Sequence, residues 1–194
     1  MKINTEILSE WNPWWVQEVK LNLLDRNLTK TISKWIGRKE IIGIIGVRRS
    51  GKTSLMNIII DSLLKKIERK NILFIKCDDE RIDKSNIISD AIELYKEHLN
   101  PKDKIFIFID EIQEAIEWEN TLKRIYDLEK NIKFFVSGSN FSILKEDLSY
   151  KLAGRLAYFE LYPFSFSELI KTKFKMDKLI LSSKKHEIKH YIIK

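Results

Sequence analysis

Gly46-Val47-Arg48-Arg49-Ser50-Gly51-Lys52-Thr53 follows an apolar run at residues 40–45 and leads into Ser54 and Leu55. The octet has the form G-x-x-x-x-G-K-[ST], and each residue type has a chemical reason. A loop that wraps phosphate with backbone N–H groups needs glycine where other residues cannot follow the chain. A helix opening near Gly51 points the positive end of its dipole at the anion. In this reading Lys52 reaches the β- and γ-phosphate oxygens and the Thr53 hydroxyl meets Mg²⁺. The cofactor-binding stretch is then Gly46, Val47, Arg48, Arg49, Ser50, Gly51, Lys52, Thr53 and Ser54. For Arg48 and Arg49, phosphate contact and solvated loop-tip charge both stay open.

Working outward, short apolar runs at 40–46, 71–77, 104–109, 132–136 and 157–161 predict strands. They lack polar alternation, as strands buried on both faces do. Helical spacing of apolar residues appears over 52–67, 86–99 and 118–128, and more briefly over 142–148 and 167–173. Strand–helix alternation implies βαβ units. The expected fold class is α/β, a P-loop NTPase with three α/β/α layers and a parallel β-sheet of about five strands. A whole strand–helix unit, 71–99, separates the phosphate-loop helix from the next candidate strand. That spacing favours the division with an additional strand and a catalytic glutamate (ASCE) over the kinase and GTPase class.

The run Ile105-Phe106-Ile107-Phe108-Ile109 ends in Asp110-Glu111. Carboxyl ends of parallel strands form the ligand crevice. Asp110 is expected to hold Mg²⁺, and Glu111, one residue on, to polarise a water for in-line attack. The strand after it ends in Ser137-Gly138-Ser139-Asn140. A polar side chain there would lie between the loop and Asp110 if the strand sits between theirs. It would sense phosphate or merely cap a turn, and Ser139 and Asn140 are both candidates.

Composition removes several classes. The single cysteine, Cys77, excludes an internal disulfide framework and a cysteine zinc site. No apolar run approaches the ~20 residues of a membrane span. The first ten residues lack a signal-peptide core, so a cytoplasmic protein without membrane contact is the expectation. The net charge of +7 invites an anionic partner, but it is uneven: residues 1–170 sum to +1 and residues 171–194 carry +6. The segment 1–39 reads as two helices, about 15–24 and 28–36. Its three tryptophans, Trp11, Trp14 and Trp15, read as a hydrophobic clasp on the core.

GVRRSGKTSL (46–55), FIDEIQ (108–113), SGS (137–139), LAGR (152–155) and LYPFSFSEL (161–169), with NPWW at 12–15, resemble the AAA-type ATPases of archaea and bacteria. The resemblance covers roughly residues 11–170. It implies an AAA-type core, ATP with Mg²⁺ as cofactors, and ATP hydrolysis. It carries Lys52 and Thr53 to phosphate and metal, Asp110 to metal, Glu111 to water activation and Ser139 to the sensor position. Arg155, at the family's Gly-Arg step, is suggested as a γ-phosphate-sensing arginine, in cis or across an interface, with a structural arginine paired to a carboxylate as the open alternative. The expected organisation is a helical segment at 1–39 packed on the core, an ATPase core at 40–170 and a basic tail at 171–194. Relatives of this kind continue into a further C-terminal domain, of which the tail would be the start. The alternatives to an active ATPase are a nucleotide-gated binding module and a DNA-associated ATPase resting on the basic tail. Partners beyond ATP are a homo-oligomer or an unidentified protein, with weaker support for nucleic acid.

Overall fold

The computed structural model describes residues 1–19, 23–139 and 152–169. Five strands form one sheet: β1 (Ile41–Ile45), β2 (Ile72–Lys76), β3 (Ile105–Asp110), β4 (Ile132–Gly138) and β5 (Leu156–Glu160). Their order is β2-β3-β4-β1-β5, and every pairing is parallel. The apolar runs become these strands because both faces are covered. All residues of β1, β3 and β4 are buried.

The crossovers are α3 (Lys52–Leu64) after β1, α4 (Ile87–Leu99) after β2 and α5 (Trp118–Leu128) after β3. Right-handed crossovers in this strand order place α3 on one face and α4 with α5 on the other. The α/β class, the parallel sheet and its three layers therefore stand as read. So does the inserted strand: β4 lies between β1 and β3, which brings its carboxyl end between the phosphate loop and Asp110. The expected helix at 142–148 and most of that at 167–173 lie outside the described residues.

The N-terminal segment differs from its reading. The first helix is α1 (Thr5–Trp11), where the Asn4 side chain caps the Ile7 N–H at 3.0 Å. Pro13 ends it, because a residue before proline is driven out of the helical region. A 3-10 turn, Pro13–Trp15, stands where the helix expected at 15–24 would begin, and residues 16–19 and 23–24 are not helical, while 20–22 lie outside the described residues. The second helix, α2 (Asn27–Ser33), is shorter than expected.

What this segment does is cover the open edge of β2. Asn12 is fully buried, and its amide donates to Phe74 O at 2.9 Å and accepts from Phe74 N at 2.6 Å, as another strand would. The indole N–H groups of Trp14 and Trp15 both donate to Ile72 O, at 3.3 and 2.9 Å. Trp15 also stacks on Tyr95 of α4, with ring centroids 5.7 Å apart. An exposed strand edge would otherwise offer unpaired backbone groups to another chain. Near the start of the central strand, buried Lys133 of β4 donates to the carbonyls of Trp35, Arg38 and Glu40, tying the entry to β1 in place.

Candidate phosphate and metal site

The loop between β1 and α3 closes tightly on itself. A Cβ at Gly46 would meet Leu161 O at 2.3 Å, and Gly51 has φ +95°, so both glycines answer to backbone demands. Ser50 N–H donates to Val47 O at 3.1 Å, and Arg49 takes φ +66° at the tip. Ser50 is buried with its Oγ unpartnered among the described residues. Val47, Arg48, Arg49, Thr53 and Ser54 are exposed.

Lys52 is 4% exposed and lies across the loop. Its Nζ donates to Gly46 O (3.1 Å), Val47 O (3.3 Å) and Ser139 Oγ (3.1 Å), and stands 3.4 Å from Glu111 Oε1. Carbonyl and hydroxyl acceptors thus hold the ammonium group across the loop. Thr53 Oγ1 donates to Asp110 Oδ2 at 2.7 Å. The two oxygen ligands read from the sequence are therefore neighbours.

Glu111 leaves β3 in the left-handed region, φ 47° and ψ 53°. A non-glycine residue there carries strain of order 1 kcal/mol, which its surroundings must hold. Here they do. Glu111 N–H donates to Ser137 Oγ at 3.0 Å, and Ser137 Oγ in turn donates to Asp110 Oδ1. Glu111 Oε2 accepts from Ser139 Oγ and, at 2.7 Å, from Gln113 Nε2. Burial pushes the Glu111 carboxyl up, but those hydrogen bonds and the Lys52 charge outweigh it and hold it below its ordinary value. Asp110 runs the other way: burial raises it above the ordinary range, against the hydroxyls of Ser137 and Thr53.

Arg155 is not brought to this site. It stands just ahead of β5, at the amino end of the strands, and its guanidinium pairs with Asp127 at 2.9 and 3.2 Å. Five strand residues separate it from the loop edge, roughly 16 Å at ~3.3 Å per residue. A phosphate-sensing role within one chain is thereby ruled out. Asn140, the other candidate for the sensor position, and the basic tail 171–194 lie outside the described residues.

Three contributors went unread in the sequence. Ser137 was visible in the SGS run. Glu168 stands in the LYPFSFSEL run, and Arg26 had no local signal. Arg26 is 4% exposed, donates to Ser50 O of the loop at 3.0 Å and to Tyr162 O at 2.5 Å, and pairs with Glu168 Oε1 at 3.2 Å. Its guanidinium carbon lies 4.2 Å from the Phe164 ring centroid. Burial pushes Glu168 up, but the Asn27 and Ser165 N–H groups, Arg26 and the Ser165 hydroxyl outweigh it, lowering it from 4.5 to about 2. A carboxylate lowered in the folded state stabilises fully above its unfolded value and loses that contribution as pH falls through the folded one. Wild type should therefore exceed Glu168→Gln in stability near neutral pH, and the gap should close between about pH 4.5 and 2. Urea melts of both chains across that range measure it, and a gap that stays constant would count against the pairing.

The donor set fits the groups that the motif implies. A hydroxyl and a carboxylate are hard oxygen ligands, which suit Mg²⁺. Among the described residues no group of three or more His, Cys, Asp or Glu side chains could hold a metal. No helix among the described residues is long and apolar enough to cross a membrane.

Comparison with known proteins agrees with this geometry. The sequence profile described as AAA domain matches residues 38–170. An uncharacterized protein of Methanocaldococcus jannaschii is 34% identical over 151 residues, 77% of this chain and 32% of that protein. An uncharacterized protein of Haemophilus influenzae is 31% identical over 132 residues, 67% of this chain and 33% of that protein. The chain thus spans about a third of the length of the curated relatives it matches. In fold, the Aeropyrum pernix ORC1 protein, solved in complex with DNA, is similar at a TM-score of 0.53 and 12% identity, over 92% of this chain and 53% of that one.

Proposed function

The chain belongs to the AAA domain family of P-loop ATPases, and from that premise we propose that it binds ATP with Mg²⁺ and hydrolyses it. The observation that carries the reading is the meeting of Lys52, Glu111 and Ser139 beside the Thr53–Asp110 pair.

The loop N–H groups from Gly46 to Thr53 receive the phosphates, and Lys52 exchanges its carbonyl partners for phosphate oxygens. Thr53 and Asp110 hold Mg²⁺, which when bound offsets charge on the phosphate oxygens. Glu111 takes a proton from water as the water oxygen attacks the γ-phosphorus. The bond to the β–γ bridging oxygen breaks, and ADP and phosphate leave. Ser139, already bonded to both Lys52 and Glu111, orients the two groups on either side of the reacting phosphate.

Phosphate release should saturate with ATP in the presence of Mg²⁺ and drop to background when EDTA removes the metal. Equal release with and without EDTA would reject the metal-dependent reading. Tight ATP binding with no release in either condition would favour a nucleotide-gated module.

A further inference from the structure

Ser50 and Gly51 share one peptide unit, and the structure contains no cis peptide bond among its described residues. In a trans peptide the C=O and the following N–H point in opposite directions. Whatever fixes the Ser50 carbonyl therefore fixes the Gly51 N–H. Gly51, at φ +95°, lets the chain turn through either orientation at this point, so the loop's own preferences do not choose. Arg26 chooses. Its Nη1 donates to Ser50 O at 3.0 Å, from the side where Glu168 and Tyr162 O take its other donors. We infer that Arg26 is a positioning residue for the phosphate loop: it holds the Ser50 carbonyl outward, which turns the Gly51 N–H into the cradle, and Glu168 holds Arg26.

The arrangement is built for fixity. The guanidinium is planar and forked, with its donors spent on three separate targets: Ser50 O, Tyr162 O and Glu168. The Phe164 ring covers one face. Glu168 is anchored independently of Arg26 by Asn27 N–H at 3.0 Å, Ser165 N–H at 3.0 Å and Ser165 Oγ at 3.0 Å. Three stretches of chain far apart in sequence meet at one charged pair: the start of α2, the loop, and residues 161–169 after β5. A lysine could serve one of these acceptors but could not span all three at once.

This role rests on the ATP reading above. It predicts a loss confined to ligands whose β-phosphate needs the Gly51 N–H. The test uses ADP and AMP, titrated by tryptophan fluorescence into the wild-type chain and variants. Arg26→Ala leaves a buried carboxylate without its partner and risks misfolding. The double variant Arg26→Met with Glu168→Gln removes both charges at similar volume and keeps an acceptor for Asn27 N–H. In it, ADP affinity should fall on the order of ten- to a hundredfold, as for a lost hydrogen bond to a charged group. AMP affinity should change far less, so the ADP-to-AMP ratio collapses, while thermal melting stays cooperative. Arg26→Lys should fall between. A folded double variant with the wild-type ratio overturns the role, and so does an equal loss for ADP and AMP, which would mark a merely structural pair. A wild-type chain that binds no ADP sinks the ATP reading and this role together.

Discussion

Glu111→Gln should slow phosphate release by about two to four orders of magnitude, the contribution typical of general acid–base catalysis, and leave ATP binding intact or tighter. The substitution keeps the shape of the side chain and removes its capacity to accept a proton. The amide oxygen can still accept from Ser139 and Gln113, as Oε2 does now. The amide nitrogen would then face Lys52 where Oε1 stands at 3.4 Å. Two donors repel, so Lys52 is freed from its carboxylate and given more readily to phosphate. The left-handed turn at residue 111 is kept, because Ser137 holds its backbone N–H rather than its side chain. Single-turnover phosphate release, paired with a tryptophan titration for ATP affinity, reads both effects. A variant within about threefold of the wild-type rate would remove Glu111 as the base.

Gly46→Ala should destabilise the fold and the site at once. A methyl group there stands 2.3 Å from Leu161 O and 3.2 Å from its carbonyl carbon. The obstacle is backbone, and that backbone is locked: Leu161 N–H donates to Ile45 O at 2.7 Å, continuing the β1–β5 pairing. Relief requires β5 to move off β1 or the loop to move off its phosphate position. Overpacking of this kind costs about 1–3 kcal/mol or more. At 194 residues that corresponds to a fall in Tm of roughly 2–12 °C. Gly37 is the control: a Cβ there meets nothing within 4 Å, so Gly37→Ala should melt close to wild type. Equal melting and equal ATP affinity for Gly46→Ala would show that the two backbones are less constrained than the geometry implies.

Much of this was legible in one dimension. The phosphate loop is a contiguous octet whose chemistry depends on near neighbours. The strands are apolar runs because each is covered on both faces. Asp110 and Glu111 declared themselves by ending such a run. Of the alternatives for Arg155, the pairing with a carboxylate is the one the fold displays, and the sequence contained the reason that it lies far from the loop of its own chain. It precedes the strand expected at 157–161, and in a parallel sheet the start of a strand lies at the edge opposite the ligand crevice. The first helix lies earlier than the apolar spacing at 15–24 suggests, because its start signal, Asn4, and its stop signal, Pro13, both precede Trp14 and Trp15.

The rest needed three dimensions. Asn12 looks like any polar residue beside a proline until β2 proves to be an edge strand whose Phe74 needs a partner. The position of β4 between β1 and β3 makes Ser137 and Ser139 part of the site, and strand order leaves no mark on any single segment. Arg26 and Glu168 are 142 positions apart, and nothing in the LYPFSFSEL run that holds Glu168 points to Arg26. The sequence by itself determined the phosphate loop, the acidic strand end and the α/β class, because these depend on local spacing and on burial of whole runs. Tertiary structure alone decided which side chains support the loop, because a hydrogen bond across the fold depends on where chains meet.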